Sequence, residues 1–447
     1  MRCGALSPRG SRAPDVLRAL YSGLMLLALP LIVLRLYWRG RREPRYRAHI
    51  GERFGHYPQA RTRGAIWLHA VSVGEMRAAQ PLVDAMCAQY PGHPLLLTCM
   101  TPTGRDTAQQ LYGVKATIAY LPYDLGILVR RLLGHFQPRC LIVMETEIWP
   151  NVIAACHAQG VPAVLVNARL SEKSLRNYGR LPPVRALIGH AVRQLAAIGA
   201  QHARDAGRLA ALGAPGLAPP SVTGNLKYDA LVDAAFVARG QAWRAACGAR
   251  AVMLAVSTRD GEERAIAEAY ARAFAAPERE KQLLVVVPRH PPRFDEAARL
   301  LVEAGLTVQR RSADEPIAPG TDAWLGDSMG EVAAYVAMCD FAFVGGSLLP
   351  LGGQNLIEVC AQGKPVLMGP STYNFADAAR AAREAGALVQ VADADELMRV
   401  AATWFADRAM RDRHAQAATA FAQAHRGATQ KTLALLAPLL GASGGKP

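Results

Sequence analysis

The residues best suited to chemistry in this sequence are carboxylates that directly follow predicted strands. Glu75 follows Gly74 where the strand-like segment 65–72 passes into a helix-like segment. A carboxylate at such a turn could take a proton from a substrate hydroxyl. Acidic residues are also common in the first turn of any helix because the helix dipole favours negative charge there, and this would lower the pKa of Glu75. A neighbouring anionic substrate would raise that pKa again.

Two further acids, Glu145 and Glu147, follow the strongly apolar segment 140–144. Their side chains share a side if the backbone is extended. Acids at the end of a buried strand lose hydration unless a ligand, a cation or a backbone donor meets them. Glu147 also precedes Trp149-Pro150, where a helix starts, so helix capping is a competing explanation for it. We therefore take Glu145 as the stronger functional candidate of the two.

Cationic and polar candidates follow other predicted strands. Lys227 is expected at the end of a strand, where its ammonium group could balance a departing phosphate or carboxylate; an ordinary solvated lysine is the alternative. Arg289 and His290 follow the apolar segment 283–287 in a proline-rich loop. A planar guanidinium in such a loop suits bidentate phosphate contact. Residues 328–331 open a helix whose free N–H groups could bind a phosphate or a pyrimidine edge.

The segment 341–370 reads as a strand, a glycine-rich loop, a helix and a second strand. Glycine pairs at 345–346 and 352–353 would let the backbone approach a ligand closely, and the helix that follows carries Asn355 and Glu358. This pattern predicts a site for a phosphate and a sugar, in which Glu358 could accept hydrogen bonds from ribose hydroxyls. The alternative is an ordinary crossover with glycine turns. No Gly-Lys-Ser/Thr sequence follows, so the loop is not a Walker motif.

Short apolar segments alternate with helix-like segments along most of the chain. This alternation predicts an α/β fold built on doubly wound parallel sheets. The polar candidates lie at the carboxyl ends of the strands, where ligands bind in such folds. The candidate strands are 65–72, 93–100, 117–121, 140–144, 163–167, 252–256, 283–287, 323–325 and 341–344.

The Gly- and Pro-rich segment 213–221 divides this alternation into two similar halves, and we interpret it as a hinge beside a cleft. The predicted organisation starts with a tail and membrane anchor (1–40). Two Rossmann-like domains (41–216 and 217–425) follow. A C-terminal helix and tail (426–447) complete the chain.

Composition narrows the classes of partner. The 447 residues include 51 Lys and Arg against 36 Asp and Glu, and this net charge of +15 favours an anionic surface or substrate. Nucleic acid ranks last, because aromatic residues are sparse and no RNA-binding motif occurs. The eight cysteines are widely spaced, which indicates a reducing compartment. Neither they nor the histidines show metal-ligand spacing, so we predict no metal. We interpret Asp393-Ala394-Asp395 as a helix cap and not as a metal motif.

The segment 19–34 carries no charge and lies between Arg18 and Arg35. Aromatic residues at its edges suit a membrane interface, whereas its length and Pro30 fit a spanning helix poorly. We predict a membrane anchor, either spanning or re-entrant, although a buried core helix is an alternative. Arginines crowd its C-terminal side, which predicts an anionic membrane surface as partner and places the main body in the cytoplasm. They are Arg35, Arg39, Arg41, Arg42, Arg45, Arg47 and Arg53.

Seven segments together carry a family pattern: WLHAVSVGE (67–75), METEIWPN (144–151), TGNLKYD (223–229), VPRHPPRF (287–294), DSMGE (327–331), GGQNLIE (352–358) and MGPSTYNF (368–375). They resemble the Kdo (3-deoxy-D-manno-octulosonate) transferases of lipopolysaccharide assembly. The resemblance implies a glycosyltransferase of GT-B architecture at the inner membrane, with two Rossmann-like domains facing across a cleft, of which 41–216 would bind the acceptor and 217–425 the CMP-sugar. It also implies CMP-Kdo as donor substrate, a tetraacylated lipid A precursor (lipid IVA) as acceptor, inversion at the sugar carbon, and no cofactor or metal.

The same resemblance implies roles for individual residues. Glu75 looks like the general base, and Glu145 and Lys227 look like the pair that stabilises the transition state. Arg259 and Gln354 stand where the family pattern leads us to expect histidine, and these departures bear on the donor contacts. The implied nucleotide-binding residues are Pro288, Arg289, Met329, Gly330, Glu331, Asn355, Leu356, Ile357 and Glu358.

Two other hypotheses stay open at the level of sequence. One is a different GT-B enzyme that uses a UDP-sugar, or a sugar epimerase of that fold. The other is a membrane-bound protein that binds a sugar nucleotide without turning it over. Transfer from UDP-sugars would favour the first, and binding without product would favour the second.

Overall fold

The computed structural model describes residues 13–214 and 216–441. The chain divides into two compact units: unit 1 comprises the residues up to Ala230 together with those from Gly427 onward, and unit 2 runs from Leu231 to Arg426. The first twelve residues of the predicted N-terminal tail and residues 442–447 of the predicted C-terminal tail lie outside the described residues.

Within the described residues, unit 1 holds a sheet of seven strands whose order is β3-β2-β1-β4-β5-β6-β7. All of its neighbouring strands are parallel. The strands are β1 (Ile66–His69), β2 (Leu95–Cys99), β3 (Ala116–Tyr120), β4 (Cys140–Met144), β5 (Ala163–Ala168), β6 (Ala197–Ala200) and β7 (Ser221–Val222).

Helices cover both faces of this sheet, which explains why its strands are almost uniformly apolar. Ile66 and Leu68 of β1 point into the core on one face, while Trp67 between them points into the core on the other. The helices of this part of the chain are α1 (Ala13–Arg42), α2 (Ile50–Arg53), α3 (Val73–Ala78), α4 (Gln80–Gln89), α5 (Pro102–Tyr112), α6 (Gly126–Phe136), α7 (Pro150–Ala158), α8 (Glu172–Arg180), α9 (Pro182–Arg193) and α10 (Ala203–Gly213). Pro44–Arg47 and Leu226–Asp229 form short 3-10 helices.

Unit 2 repeats this architecture. Among its described residues, a second seven-stranded parallel sheet has the order β10-β11-β9-β8-β12-β13-β14. The strands are β8 (Ala251–Thr258), β9 (Gln282–Pro288), β10 (Val308–Arg310), β11 (Ala323–Leu325), β12 (Phe341–Val344), β13 (Val366–Met368) and β14 (Leu388–Gln390). The helices are α11 (Ala234–Ala246), α12 (Glu262–Ala273), α13 (Ala276–Arg279), α14 (Phe294–Glu303), α15 (Val332–Met338), α16 (Ile357–Ala361), α17 (Ala376–Glu384), α18 (Ala394–Ala406) and α19 (Arg408–Ala424). Two 3-10 helices span Pro291–Arg293 and Arg311–Ala313. The prediction of two Rossmann-like parallel-sheet domains is therefore confirmed.

The division between the units lies at Ala230/Leu231, later than the sequence-based boundary at 216/217. The reason is that β7 pairs with β6 and that Leu226 packs in the core of unit 1. Lys227, which the sequence assigned to the second domain, consequently belongs to unit 1.

The C-terminal helix α20 (Ala428–Leu440) also belongs to unit 1. Leu433, Leu436 and Leu440 are buried in the same core as β1. The Asp229 carboxylate accepts hydrogen bonds from the N–H groups of Gly427 and Thr429 at 2.7 and 2.5 Å. The chain thus returns to its first domain after completing the second.

Among the described residues, one helix is long and apolar enough to cross a membrane: Pro14–Arg42, with a mean hydropathy of 2.0 over its most apolar 18 residues. None of the residues in that window is buried, which argues against the alternative of a core helix.

Candidate active site

Glu75 lies in the first turn of α3, directly beyond the end of β1. Ser72 caps this helix, and its hydroxyl accepts a hydrogen bond from the Glu75 N–H at 3.4 Å. The Glu75 carboxylate reaches back to accept hydrogen bonds from the Ser72 hydroxyl at 3.1 Å and from the Val71 N–H at 2.8 Å. Glu75 therefore also has a local structural role at the start of α3, and these two contacts fix the direction of its carboxylate.

The surroundings of Glu75 favour its protonated form. Burial, together with the negative charges of Glu145 and Glu147, raises the pKa of Glu75 to about 7. The hydrogen bonds from Val71 and Ser72 act in the opposite direction without cancelling this effect. The expected lowering by the helix dipole is thus outweighed. A carboxyl group with a pKa near 7 can accept a proton at neutral pH and release it again.

Glu145 follows β4, the strand next to β1, and forms an ion pair with Lys227. The Lys227 Nζ lies 3.1 Å from the Glu145 Oε1. Both side chains are largely covered, with 24% and 20% of their side-chain surface exposed. The backbone of Glu145 is in the left-handed region, with φ of 56°, which is unusual for a residue other than glycine and is common at functional sites. The structure therefore brings Glu75, Glu145 and Lys227 together in one unit.

A set of buried amides holds the segment that carries Lys227. The Asn167 Oδ1 accepts a hydrogen bond from the Leu226 N–H at 3.0 Å, and the Asn225 Oδ1 accepts one from the Lys227 N–H at 3.0 Å. Gln201 joins the two asparagines: its Nε2 donates to the Asn167 carbonyl at 3.0 Å, and its Oε1 accepts from Asn225 at 3.1 Å.

These amides escaped the sequence analysis. Their only signal in the sequence was the occurrence of a polar residue near the end of a strand, in the segments that contain Asn167 and Asn225. Asn167 is fully buried and has φ of 51°, a conformation that asparagine tolerates better than most residues.

In unit 2 the candidate residues follow β11, β9, β8 and β12, which are consecutive strands in the sheet. Arg259 follows β8, and Arg289 follows β9. Burial lowers the pKa of His290, and the positive charges of Arg259 and Arg289 lower it further, so these three side chains lie close together. Neither of the two guanidinium groups forms a salt bridge with any residue that the structure describes. Such a group of cations suits an anion.

Arg293, in the same proline-rich loop, has a different role. Its guanidinium contacts the carboxylates of Asp260, Glu263 and Glu296 at 2.8, 3.1 and 3.0 Å. Arg293 is therefore committed to holding the loop, whereas Arg289 remains available for a ligand.

The first glycine pair of the 341–370 segment does not offer its N–H groups to a ligand. The buried carboxylate of Glu262 accepts hydrogen bonds from the N–H groups of Gly346, Ser347 and Leu348 at 2.6, 2.9 and 3.0 Å. It also accepts one from the Arg259 N–H at 2.9 Å. Glu262 thus joins the loops that follow β8 and β12. No local sequence pattern marks this role of Glu262, because an acid in the first turn of a helix is common.

The N–H groups of the second glycine pair also have hydrogen-bond partners within the protein. The Gly352 N–H donates to the Ser371 hydroxyl, and the Gly353 N–H donates to the Gly346 carbonyl. The helix α16 that follows has five residues, and the Asn355 Oδ1 accepts from the Ile357 N–H at 3.2 Å. The phosphate-and-sugar site at this loop and helix stays a prediction. Leu356 and Ile357 are buried, whereas Asn355 and Glu358 are half-buried at the surface of the loop.

The 328–331 segment precedes α15 and presents a different surface. Met329 is exposed, and Gly330 has φ of 82°. The Glu331 Oε1 accepts hydrogen bonds from Arg239 and Arg311 at 2.5 and 3.3 Å. Burial opposes ionisation of Glu331, but the hydrogen bond from Ser328 and the contacts with both arginines hold its pKa below the usual value. The Glu331 carboxylate is therefore structural, and Met329 with Gly330 forms the exposed part of the segment.

The remaining expectations concern Pro288 and the acidic segment at 393–395. Pro288 is the buried last residue of β9 and orients the loop with Arg289. The Asp393 Oδ1 accepts a hydrogen bond from the Glu396 N–H at 2.8 Å, which confirms that this residue caps a helix. Among the residues that the structure describes, no group of three or more His, Cys, Asp or Glu side chains could hold a metal ion.

The chain is similar to proteins of one known family. The family model described as 3-deoxy-D-manno-octulosonic-acid transferase (kdotransferase) matches residues 48–230. The chain is 43% identical over 442 residues to the 3-deoxy-D-manno-octulosonic acid transferase of Bordetella pertussis, covering 94% of this chain and 99% of that protein. It is 36% identical to the protein of that name from Haemophilus influenzae, covering 95% and 99%.

Solved structures support the fold alone. The UDP-GlcNAc 2-epimerase of Neisseria meningitidis superposes with a TM-score of 0.59 at 15% identity, covering 84% of this chain and all of that one. A putative epimerase of Listeria monocytogenes gives 0.56 at 16% identity. Given the similarity to the Bordetella and Haemophilus proteins over nearly their whole lengths, the chain belongs to the 3-deoxy-D-manno-octulosonic acid transferase family of glycosyltransferases.

Proposed function

We propose that this protein transfers Kdo from CMP-Kdo to a tetraacylated lipid A precursor (lipid IVA), with inversion at the sugar carbon and without a metal ion. The observation that carries this proposal is the cluster of Glu75, Glu145 and Lys227 in unit 1, in which Glu75 has a pKa near 7. The names of the Bordetella and Haemophilus relatives support Kdo as the transferred sugar.

In the proposed reaction, Glu75 takes the proton from the acceptor hydroxyl. The hydroxyl oxygen then forms a bond to the anomeric carbon of Kdo as the bond from that carbon to the phosphate oxygen breaks. CMP leaves as a phosphate monoester, so its departure needs cations and no acid. Displacement by one activated hydroxyl inverts the sugar carbon.

Lys227 and Glu145 act on the charges that develop during this step. The sugar carbon becomes oxocarbenium-like, and a carboxylate such as Glu145 stabilises it. Lys227 balances the negative charge that remains on the leaving group or on the Kdo carboxylate. Their ion pair keeps both groups oriented before the substrates arrive.

In unit 2 we assign the phosphate of CMP to Arg289 and Arg259. Both guanidinium groups lie near His290, and Glu262 orders the loop beside them. The implied contacts of Met329, Gly330, Asn355 and Glu358 with the nucleotide remain proposals.

The location also belongs to this proposal. An acceptor with acyl chains stays in a bilayer, and α1 offers an apolar helix beside a group of arginines. We place the protein at the inner membrane with both units on the cytoplasmic side, in contact with anionic lipid.

A transfer assay tests this function. Purified protein is mixed with CMP-Kdo and lipid IVA, and the product mass is read with EDTA present, since a metal-independent enzyme keeps its activity under chelation. UDP-sugars serve as competing donors. A Kdo adduct formed only from CMP-Kdo is expected, and its mass also counts the sugars added. Transfer from a UDP-sugar, or CMP-Kdo binding without product, would overturn the proposal.

A further inference from the structure

One face of α1 exposes large apolar side chains along almost the whole helix. They recur every three or four residues and therefore form one continuous stripe. Between 58% and 77% of their surface is exposed. A surface of this kind marks an interaction site. We call these residues the α1 stripe: Leu20, Leu24, Leu27, Leu31, Leu34 and Trp38.

The opposite face of α1 is attached to unit 1. Met25, Leu29 and Ile32 pack against an apolar cluster that includes Leu125 and Leu128. Further along, Leu36 is buried. The attachment therefore extends over several turns of the helix.

Polar contacts reinforce this attachment near the start of α1. The Asn151 Nδ2 donates a hydrogen bond to the Ser22 hydroxyl at 3.0 Å. The Tyr21 hydroxyl forms a hydrogen bond with Asp124, whose carboxylate also accepts from the N–H groups of Asn151 and Val152. These partners belong to the folded domain, so α1 is part of unit 1 and not a free segment.

This attachment conflicts with a helix that crosses the bilayer. To cross it, α1 would have to leave unit 1, which would expose the apolar cluster and break the contacts of Ser22 and Tyr21. The uncharged segment 19–34 is also short: sixteen residues at 1.5 Å each give about 24 Å, against a hydrocarbon core of about 30 Å. Both observations favour a helix that stays on its domain.

The charges beside the stripe identify its partner. Arg35, Arg39, Arg41, Arg42 and Arg45 are exposed in the C-terminal half of α1 and just beyond it. Trp38 lies among them, and tryptophan favours the interface between headgroups and acyl chains. An apolar stripe flanked by arginines matches an anionic bilayer surface better than an apolar protein partner.

We infer that α1 lies in the plane of the membrane surface, with its stripe inserted at the boundary of the acyl chains and its other face carrying unit 1. This inference rests on the proposed membrane location and adds the orientation. It places the N-terminal end of α1 on the same side of the membrane as Glu75.

The orientation can be tested with the full-length protein. An epitope tag is placed at the N-terminus, a second tag at the C-terminus serves as reference, and protease is added to sealed vesicles of either orientation. An in-plane helix predicts that both tags are cleaved in inside-out vesicles and that both are protected in right-side-out vesicles. If one tag were cleaved only in inside-out vesicles and the other only in right-side-out vesicles, the inference would be overturned, whether or not the protein transfers Kdo.

A pair of substitutions tests the stripe itself. Leu27→Glu with Leu31→Glu should reduce recovery on vesicles of phosphatidylethanolamine and phosphatidylglycerol by about tenfold or more, because two inserted apolar side chains become charged. The matched control is Leu231→Glu, an exposed leucine of unit 2. Kdo transfer to an acceptor dissolved in detergent should stay unchanged, and this result would show that the variant is folded. If recovery on vesicles were unchanged, the proposal that the α1 stripe inserts into the membrane would be wrong. A change of oligomeric state without a loss of vesicle binding would contradict it as well.

Discussion

The two units use the same kind of sheet edge in opposite ways. In unit 1, loops beyond β1 and β4 leave carboxylates partly covered and close to one another, so that the pKa of Glu75 rises. In unit 2, the loops beyond β8 and β12 are fastened by one carboxylate, Glu262, which takes up backbone N–H groups. Two seven-stranded parallel sheets with different strand orders thus support a reactive acid in one unit and a rigid frame in the other. Substitutions in unit 1 should therefore lower kcat, whereas those in unit 2 should lower stability or donor affinity.

The largest effect is expected at Glu75. Glu75→Gln removes the base but keeps the size of the side chain, and kcat should fall about 10³-fold, as expected for loss of a general base. CMP binding, measured by calorimetry, should be unchanged because the nucleotide is assigned to unit 2. Glu172→Gln, another acid in a first helical turn of unit 1, is the control. Residual activity close to that of the unmodified protein would remove Glu75 from the mechanism.

The next effect concerns the amides that hold Lys227. Asn167→Ala removes the hydrogen bond to the Leu226 N–H and frees the segment that carries the ammonium group. We expect kcat to fall about tenfold with little change in the KM for CMP-Kdo, since a misplaced charge costs transition-state stabilisation. Asn177→Ala, on the exposed surface of α8, is the control.

Asn167→Asp supplies the conservative variant, because it keeps the accepting Oδ1 and should recover most of kcat. If Asn167→Ala raised KM alone, or if Asn167→Asp were as impaired as Asn167→Ala, a positioning role for Asn167 would be wrong.

In unit 2, Glu262→Ala should act through stability and donor affinity. Four N–H groups lose their acceptor, and an unsatisfied donor costs about 1–3 kcal/mol when it is buried, as those of Gly346 and Ser347 are. We expect a clearly lower Tm and a higher KM for CMP-Kdo, with kcat at saturating donor less affected. Glu268→Ala, an acid further along α12 with an exposed side chain, should change neither quantity. A normal Tm would contradict the framing role of Glu262.

The smallest effect is expected at Arg259, where the resemblance led us to expect histidine. Arg259→His keeps a cation-capable side chain beside Arg289 but weakens the charge at neutral pH. The KM for CMP-Kdo should rise about two- to fivefold, whereas Arg289→Ala should raise it by tenfold or more, since contacts with a charged group contribute about 1.5–3 kcal/mol. Equal effects of both substitutions would show that the two guanidinium groups share the phosphate evenly.

The sequence was sufficient for the parallel-sheet fold and for the residues at strand ends, because apolar periodicity and polar strand-end residues are local signals. It was not sufficient where contacts between residues far apart in the sequence determine the domain or the role of a residue. Lys227 was assigned to the wrong domain, because the pairing of β7 with β6 and the core contact of Leu226 cannot be read from a Gly- and Pro-rich segment. The role of Glu262 depends on N–H groups more than eighty residues away, which no local pattern indicates.

The glycine pairs illustrate a related limit. Their spacing indicates that the backbone takes an unusual course, but it does not indicate which partner the freed N–H groups meet. Here the partners are Glu262, Ser371 and the Gly346 carbonyl. The net direction of the pKa shift of Glu75 was likewise open, because the helix dipole and burial act in opposite directions.

The most direct test of the account is the pH dependence of kcat/KM at Glu75. The base must be deprotonated, so log kcat/KM should rise with pH and level off, with the bend near pH 7. Glu147→Gln removes one of the negative charges that raise this pKa, so it should move the bend to lower pH while leaving the plateau in place. A bend near 4.5 in the unmodified protein, or one that Glu147→Gln leaves unmoved, would contradict the assignment of Glu75 as a base whose pKa its carboxylate neighbours raise.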